Sequence, residues 1–308
     1  MFHHLLQQIQ TGNAKALARC ISLIENEIEG HTDFLKKLPA STTPIIGITG
    51  APGAGKSTLV DALIGHWVAA NKKVGVLCVD PSSPFNLGAL LGDRIRMNEW
   101  YNHPNVFIRS LATRGSLGGL HPKIIEITDV MKAAPFDFII VETVGVGQSE
   151  IEIAGLADCT TVVVVPEGGD EVQTMKAGLM EIADLFVVNK ADRPGADVFV
   201  KNLRQMVHGK VGRWQMTDGG HPTVETAIIK TIASQKVGID DLAEKIESFL
   251  SLQLTSDKKY WLLTEKAFQL IQKKRMVGID KQKLKKEIEA EMQTATEFNL
   301  YQFTAALK

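Results

Sequence analysis

The run Gly50-Ala51-Pro52-Gly53-Ala54-Gly55-Lys56-Ser57 most constrains what this chain can fold into, because it completes the pattern G-x-x-x-x-G-K-[ST] between two matching flanks. Before it, Pro44-Ile45-Ile46-Gly47-Ile48-Thr49 has the continuous apolar character of a buried parallel strand. After it, from Thr58 to Ala70, apolar residues recur at helical spacing. A strand, a glycine loop and a helix N-terminus together make a phosphate cradle. Backbone N–H groups point at phosphate oxygens, the helix dipole favours their charge, Lys56 neutralises the outer phosphates and the Ser57 hydroxyl ligates Mg2+. The alternative is a chance glycine turn with a solvated lysine, and it requires both flanks to be coincidence. The chain is therefore expected to bind a nucleotide.

The base is indicated further on. Asp184-Leu185-Phe186-Val187-Val188 reads as another strand, and Asn189-Lys190-Ala191-Asp192 follows it as an N-K-x-D pattern. A carboxylate at Asp192 accepts from both N1–H and the exocyclic amine of guanine, whereas adenine presents a lone pair at N1 and is repelled. GTP, yielding GDP, is the expected substrate. Asn189 would fix the loop, and the Lys190 stem would lie along the base. A third guanine element is expected after the strand Ala227–Ile229, in Lys230-Thr231-Ile232-Ala233-Ser234, where the Ala233 N–H would donate to guanine O6. Ile232 stands where a serine is usual.

Composition narrows the partners. The chain has 308 residues, 44% of them hydrophobic, and a formal charge of −1, which gives no bulk attraction to nucleic acid or to an anionic membrane. Cys20, Cys78 and Cys159 are scattered and lack C-x-x-C spacing, as expected of core residues in a reducing compartment. The N-terminal residues lack a charged segment followed by a long apolar one, and no apolar run approaches spanning length, so the expected location is cytoplasmic, with no membrane partner.

Residues 3–28 carry a helical pattern broken at Thr11-Gly12-Asn13, which predicts two short helices; His3, His4 and His31 are solvated or cap residues on this reading. Strands are predicted at Ile45–Thr49, Val74–Val79, Val106–Ile108, Phe138–Glu142, Thr161–Val165, Leu185–Val188 and Ala227–Ile229, alternating with helices. Such alternation implies an α/β fold, a mostly parallel sheet with helices on both faces and the ligand at the carboxyl ends of the strands. Beyond Thr255 the strand signals stop, and two stripes, Leu263, Ala267, Leu270, Ile271 and Leu284, Ile288, Met292, predict helices that cap the core or meet another subunit. The organisation expected is a helical extension over 1–40, a P-loop domain over 41–252 and a helical segment over 253–308.

Four segments supply candidate chemistry. Asp80, ending the second strand before Pro81, is placed to bind Mg2+ or its waters or to orient the attacking water; simple turn chemistry is the alternative. Asp93 lies with Arg94 and Arg96 in a glycine-flanked loop. Glu142 ends an apolar strand in Glu142-Thr143-Val144-Gly145-Val146-Gly147-Gln148-Ser149-Glu150, a position suited to holding the metal, and the Gly145 N–H can touch the γ-phosphate. Loss of that phosphate would release the loop. Residues 166–176, with Asp170 and Glu171, could sense nucleotide or touch a partner.

In order and spacing, V-D-P-S-S-P-F, G-A-L-L-G-D-R-I-R-M, R-G-S-L-G-G-L at 114–120, E-T-V-G-V-G-Q-S-E and N-K-A-D resemble the MeaB/ArgK/MMAA group of GTPases. That group is associated with adenosylcobalamin-dependent acyl-CoA mutases, notably methylmalonyl-CoA mutase. The resemblance implies a homodimeric P-loop NTPase of the SIMIBI class whose GTP cycle gates cofactor delivery to the mutase, protects it and assists removal of damaged cobalamin. By position it implies that Lys56 and Ser57 hold phosphate and Mg2+, that Asp80, Asp93 and Glu142 form the metal and water network, and that Asn189 and Asp192 read guanine. It also implies homodimerisation through the C-terminal helices. The chain departs from the pattern at Asn86-Leu87-Gly88, at Pro166-Glu167-Gly168-Gly169 and at Ile232.

Other classes compete. A kinase linked to arginine/ornithine transport would require an acceptor pocket and would be opposed by Asp192 if it used ATP. A nickel metallochaperone would require a Cys/His cluster near the loops expected to respond to the nucleotide. Cobalamin is assigned to the partner, since no D-x-H-x-x-G motif occurs in the chain. No arginine finger is evident in cis; Arg94, Arg96 or Arg114 would serve after partner docking.

Overall fold

Runs of β-branched and aliphatic residues pair into one parallel sheet in the computed structural model, which describes residues 1–80, 97–113, 120–145, 149–166, 177–211, 226–252, 257–275, 281–294 and 299–306. The strands are β1 (Ile45–Gly50), β2 (Val74–Asp80), β3 (Val106–Ala112), β4 (Phe138–Glu142), β5 (Cys159–Val164), β6 (Leu185–Val188) and β7 (Ala227–Lys230). Their order across the sheet is β3-β2-β4-β1-β5-β6-β7, with every neighbouring pair parallel. All seven expected strands are present, with ends shifted by a few residues. The largest shift is in β3, which runs on through Arg109 and Ser110 to Ala112.

Parallel strands need crossovers, and helices supply them. They are α4 (Lys56–Ala69), α5 (Ile124–Lys132), α6 (Ser149–Leu156), α7 (Ala177–Ile182) and α8 (Ala196–Val211); α1 (Phe2–Gln10), α2 (Ala14–Glu25) and α3 (His31–Leu35) precede the first strand and α9 (Ile239–Ser251) follows the last. On one face Trp67 of α4 stacks on Phe138 of β4, ring centres 4.6 Å apart, in a core that includes Leu59, Leu63, Val76, Ile140 and Leu242. On α6, Ile153 and Ala157 just beyond it press so closely on β1 that a Cβ at Gly47 would stand 2.6 Å from Ile153 Cγ1.

The helical pair predicted for residues 3–28 is α1 and α2, with Asn13 capping α2 by accepting from the Ala16 N–H at 3.0 Å. A third, α3, was not expected: its Phe34 is buried and stacks on Phe2 of α1, so tertiary packing holds a five-residue helix that periodicity cannot reveal. His3 and His4 are exposed, and His31 opens α3 with Nδ1 3.0 Å from the Ile28 carbonyl. Cys20, Cys78 and Cys159 are buried. Burial pushes the Cys20 thiol up to about 12 and raises that of Cys159 as well, which makes them poor ligands or nucleophiles.

The chain divides into two compact units, Met1–Tyr260 and Trp261–Lys308. The first contains the sheet, α1–α9 and the start of α10 (Asp257–Arg275). The second contains the rest of α10, α11 (Lys281–Thr294) and α12 (Leu300–Ala306). Among the described residues no helix is long and apolar enough to cross a membrane.

Candidate functional site

The strand order reverses at β1, whose neighbours are β4 on one side and β5 on the other. A crevice is expected at the carboxyl end of such a strand, and there the chain turns through Gly50–Gly55 into α4. Gly50, Gly53 and Gly55 all take positive φ, the conformations that let successive N–H groups face the same way. Ala51, Pro52 and Gly53 are exposed at the tip of the loop, while Ala54, Lys56 and Ser57 are buried at its base and Thr58 is half-buried behind them. Lys56 Nζ donates to the Gly50 carbonyl at 3.0 Å and to that of Ala51 at 3.2 Å, so its charge lies across the loop.

Beneath it, Ser57 Oγ donates to Glu142 Oε1 at 2.7 Å, and both residues are buried. Ser57 comes from the first turn of α4 and Glu142 from the end of β4, so a hydroxyl and a carboxylate 85 positions apart in sequence meet at the floor of the crevice. Two hard oxygen ligands fit Mg2+, which commonly takes one or two protein oxygens and fills the rest of its shell with phosphate and water. Asp80, also buried, lies at the same end of the sheet on β2, two residues beyond Cys78, the register partner of Glu142.

Gly145 closes the other side. Its φ is 84°, and a Cβ there would stand 2.5 Å from Lys56 Nζ and collide with the Gly50 carbonyl. The backbone after Glu142, as far as Gly145, thus lies directly against the loop. Two threonines that sequence reasoning passed over support it: Thr49 Oγ1 and Thr143 Oγ1 are 2.8 Å apart and fully buried, and the Thr143 N–H donates to the Ile48 carbonyl at 3.0 Å. The available signal was a threonine near the end of β1 and another directly after the end of β4.

The cleft expected to hold the base is lined by Gly55, Thr58, Asn189, Lys190, Asp192, Arg193, Ile232, Ala233 and Ser234. Asn189 is its hub, buried and bonded on both sides. Its Nδ2 donates to the Ala54 carbonyl at 2.9 Å, and its Oδ1 accepts from Thr231 Oγ1 and from the Ala233 N–H, each at 3.1 Å. Gly55 must lack a side chain here, because a Cβ would overlap Asn189 Nδ2. Lys190, at φ 55°, reaches back to donate to the Gly53 carbonyl at 2.9 Å. Asp192 is exposed on the cleft wall.

The loop after β7 is closed by an antiparallel bridge between Ile232 and Val237, which turns Ala233 toward Asn189. The Ala233 N–H, expected to face guanine, is given to Asn189 Oδ1. Thr231, whose hydroxyl completes the hub, was not singled out from sequence. Asp93, with Arg94, Arg96 and Arg114, the Asn86-Leu87-Gly88 departure, Gln148, and Asp170 and Glu171, lies outside the described residues. Among the described residues no group of three or more His, Cys, Asp or Glu side chains is placed to hold a metal ion.

Known proteins match along most of the chain. A Pyrococcus abyssi protein described as a candidate GTPase is 47% identical over 249 residues, covering 80% of this chain and 75% of its own. The fused isobutyryl-CoA mutase of Geobacillus kaustophilus is 36% identical over 262 residues, 76% of this chain and 24% of that larger protein. The crystal structure of a LAO/AO transport system kinase superimposes with a TM-score of 0.63 at 25% identity, covering 96% of this chain and 93% of that one. The sequence profile of the methylmalonyl-CoA mutase-associated GTPase MeaB matches residues 17–290, and the chain belongs to that family of P-loop GTPases.

Proposed function

We propose that this GTPase uses its nucleotide cycle to gate cofactor loading, protection and reactivation of an adenosylcobalamin-dependent acyl-CoA mutase of the methylmalonyl-CoA type. The observation that carries this reading is the alignment of 76% of the chain with part of a fused isobutyryl-CoA mutase, since fusion places a domain of this kind and a mutase in one polypeptide. The family's association with methylmalonyl-CoA mutase points the same way. Cobalamin belongs to the partner on this proposal.

The roles follow from the site's geometry. The N–H groups of Gly50–Ser57 would cradle the phosphates, with Lys56 moving its charge from the loop carbonyls onto the outer oxygens. Ser57 and Glu142 would hold Mg2+, with Asp80 in the surrounding water shell; Asp93 is assigned to that network by the family resemblance alone. The ion would neutralise charge developing between the β- and γ-phosphates. The Gly145 N–H would bond a γ-oxygen, so that hydrolysis frees the segment that follows and changes the surface offered to the mutase. Asp192 would accept from guanine N1–H and the exocyclic amine, while O6 would share the Ala233 N–H with Asn189. Because the sequence shows no evident arginine finger in cis, hydrolysis is expected to be slow until the partner docks.

The test is hydrolysis of GTP and ATP by the purified protein, with and without an adenosylcobalamin-dependent acyl-CoA mutase from the same source. GTP-selective turnover that rises with the mutase is expected. Turnover indifferent to every such mutase would remove the partner from the proposal. The likeness to a LAO/AO transport system kinase supports a second reading, a nucleotide-dependent kinase linked to amino-acid transport. Transfer of the γ-phosphoryl label to arginine or ornithine, in place of release as inorganic phosphate, would favour it.

A further inference from the structure

We infer that the buried Thr49–Thr143 hydroxyl pair is the rivet that positions the Gly145 segment over the phosphate loop, and that both are positioning residues for GTP hydrolysis. The inference rests on the placement of the γ-phosphate proposed above. The register of β1 with β4 runs from Ile45↔Ile139 to Ile48↔Glu142 and stops there. Beyond it β1 continues only beside β5, through Thr49↔Val162 and Gly50↔Val163. The chain leaving β4 therefore has one more backbone bond to the sheet, from the Thr143 N–H to the Ile48 carbonyl, before it crosses the loop. The Thr49–Thr143 hydroxyl contact, at 2.8 Å, extends the pairing one step past the end of the backbone ladder.

The neighbours of the two threonines show what that step controls. Thr143 directly follows Glu142, which accepts from Ser57, and stands two residues before Gly145. Thr49 directly precedes Gly50, whose carbonyl accepts from Lys56 Nζ and lies against Gly145. The pair thus joins the two backbone stretches that must lie at fixed spacing for Gly145 to meet a γ-phosphate. Neither threonine faces the base cleft, so binding of GDP should not depend on them.

The physics of buried hydroxyls supplies a clean test in the full-length protein. Replacing one partner strands the other hydroxyl, whereas replacing both by the isosteric valine leaves no polar group unpaired. The double variant Thr49→Val/Thr143→Val is expected to keep its thermal midpoint and to bind GDP within about twofold of the parent, while kcat for GTP falls about tenfold, the loss expected when a transition-state contact is loosened but not removed. Thr49→Ser/Thr143→Ser, which keeps both hydroxyls, is expected to restore kcat to within about twofold.

A double valine variant that hydrolyses GTP at the parental rate, or that loses GDP affinity in proportion to kcat, would overturn the inference. If the valine variant is too unstable to purify, Thr143→Ser decides: a tenfold loss of kcat with parental GDP binding would assign the effect to the methyl group and remove the rivet. Loss of GDP binding in Lys56→Ala tests the phosphate site separately.

Discussion

On the proposed reading Asp192 carries the choice of base through its charge and its position on the cleft wall, where it shares the pocket with Asn189, Lys190 and Ala233. Replacing it by Asn turns one acceptor into a donor, so one of the two contacts to guanine is lost and the new amide faces the exocyclic amine donor to donor. GTP should bind roughly 10- to 100-fold more weakly, the equivalent of about 1.5–3 kcal/mol for a charge-assisted pair. A xanthine base carries a carbonyl where guanine carries the amine, and the new amide can donate to it. Competition between GTP and XTP for Asp192→Asn, read by equilibrium binding, should show preference for XTP; retained preference for GTP would displace Asp192 from base recognition. Gly145 makes a separate demand, on space. In Gly145→Ala the new methyl collides with the Gly50 carbonyl and Lys56 Nζ at a φ of 84°, so the segment must lift from the loop. Hydrolysis should fall about a hundredfold, as on removal of one transition-state donor, with GDP affinity retained. Single-turnover hydrolysis beside GDP titration checks it.

At the scale of elements, the sheet was legible because strands buried on both faces must be continuous apolar runs, and Ile45–Ile48, Phe138–Val141 and Leu185–Val188 are such runs. The end of β3 was not, and the reason is physical. Arg109 breaks the apolar run, but its guanidinium donates to Glu25 at 2.6 Å and to Ser22 Oγ at 3.0 Å, both from α2, so a helix remote in sequence satisfies a charge inside a strand. The base hub was half legible for the same reason: Asn189 and Asp192 stand in a local motif, whereas Thr231 acts across 42 residues. The Arg109–Glu25 pair gives a measurable consequence. Glu25 is nearly buried and Arg109 about a third exposed, so Glu25→Gln leaves a partly desolvated guanidinium without its counter-charge. Unfolding in urea should show a loss of about 2 kcal/mol, below the range for a fully buried pair because water still reaches Arg109. A midpoint unchanged in Glu25→Gln would mean that β3 and α2 hold together by apolar packing alone.

At the scale of the whole molecule, the C-terminal unit differs from the nucleotide-binding unit in how it treats its apolar residues. Leu263, Leu270 and Ile271 of α10 and Met292 of α11, members of the two stripes read from sequence, are each about half exposed, and Trp261 and Phe268 are exposed beside them in the chain. A single chain that leaves such residues open to water forgoes burial energy of roughly 25 cal/mol per Å2, and a second copy can recover it through a closed, self-complementary contact. The homodimer implied by the family resemblance is the occupant proposed for these helices. Light scattering on the purified chain should then give about twice its 33.7 kDa mass. Leu270→Glu/Ile271→Glu places two charges on the stripe without touching the residues that line the base cleft, so it should reduce the mass to that of one chain while GTP affinity stays within about twofold. A variant that remains dimeric would move the interface elsewhere. One that becomes monomeric and loses GTP affinity together would show that the second copy contributes to the nucleotide site, contrary to an arrangement in which each chain supplies its own P-loop, Glu142 and guanine hub.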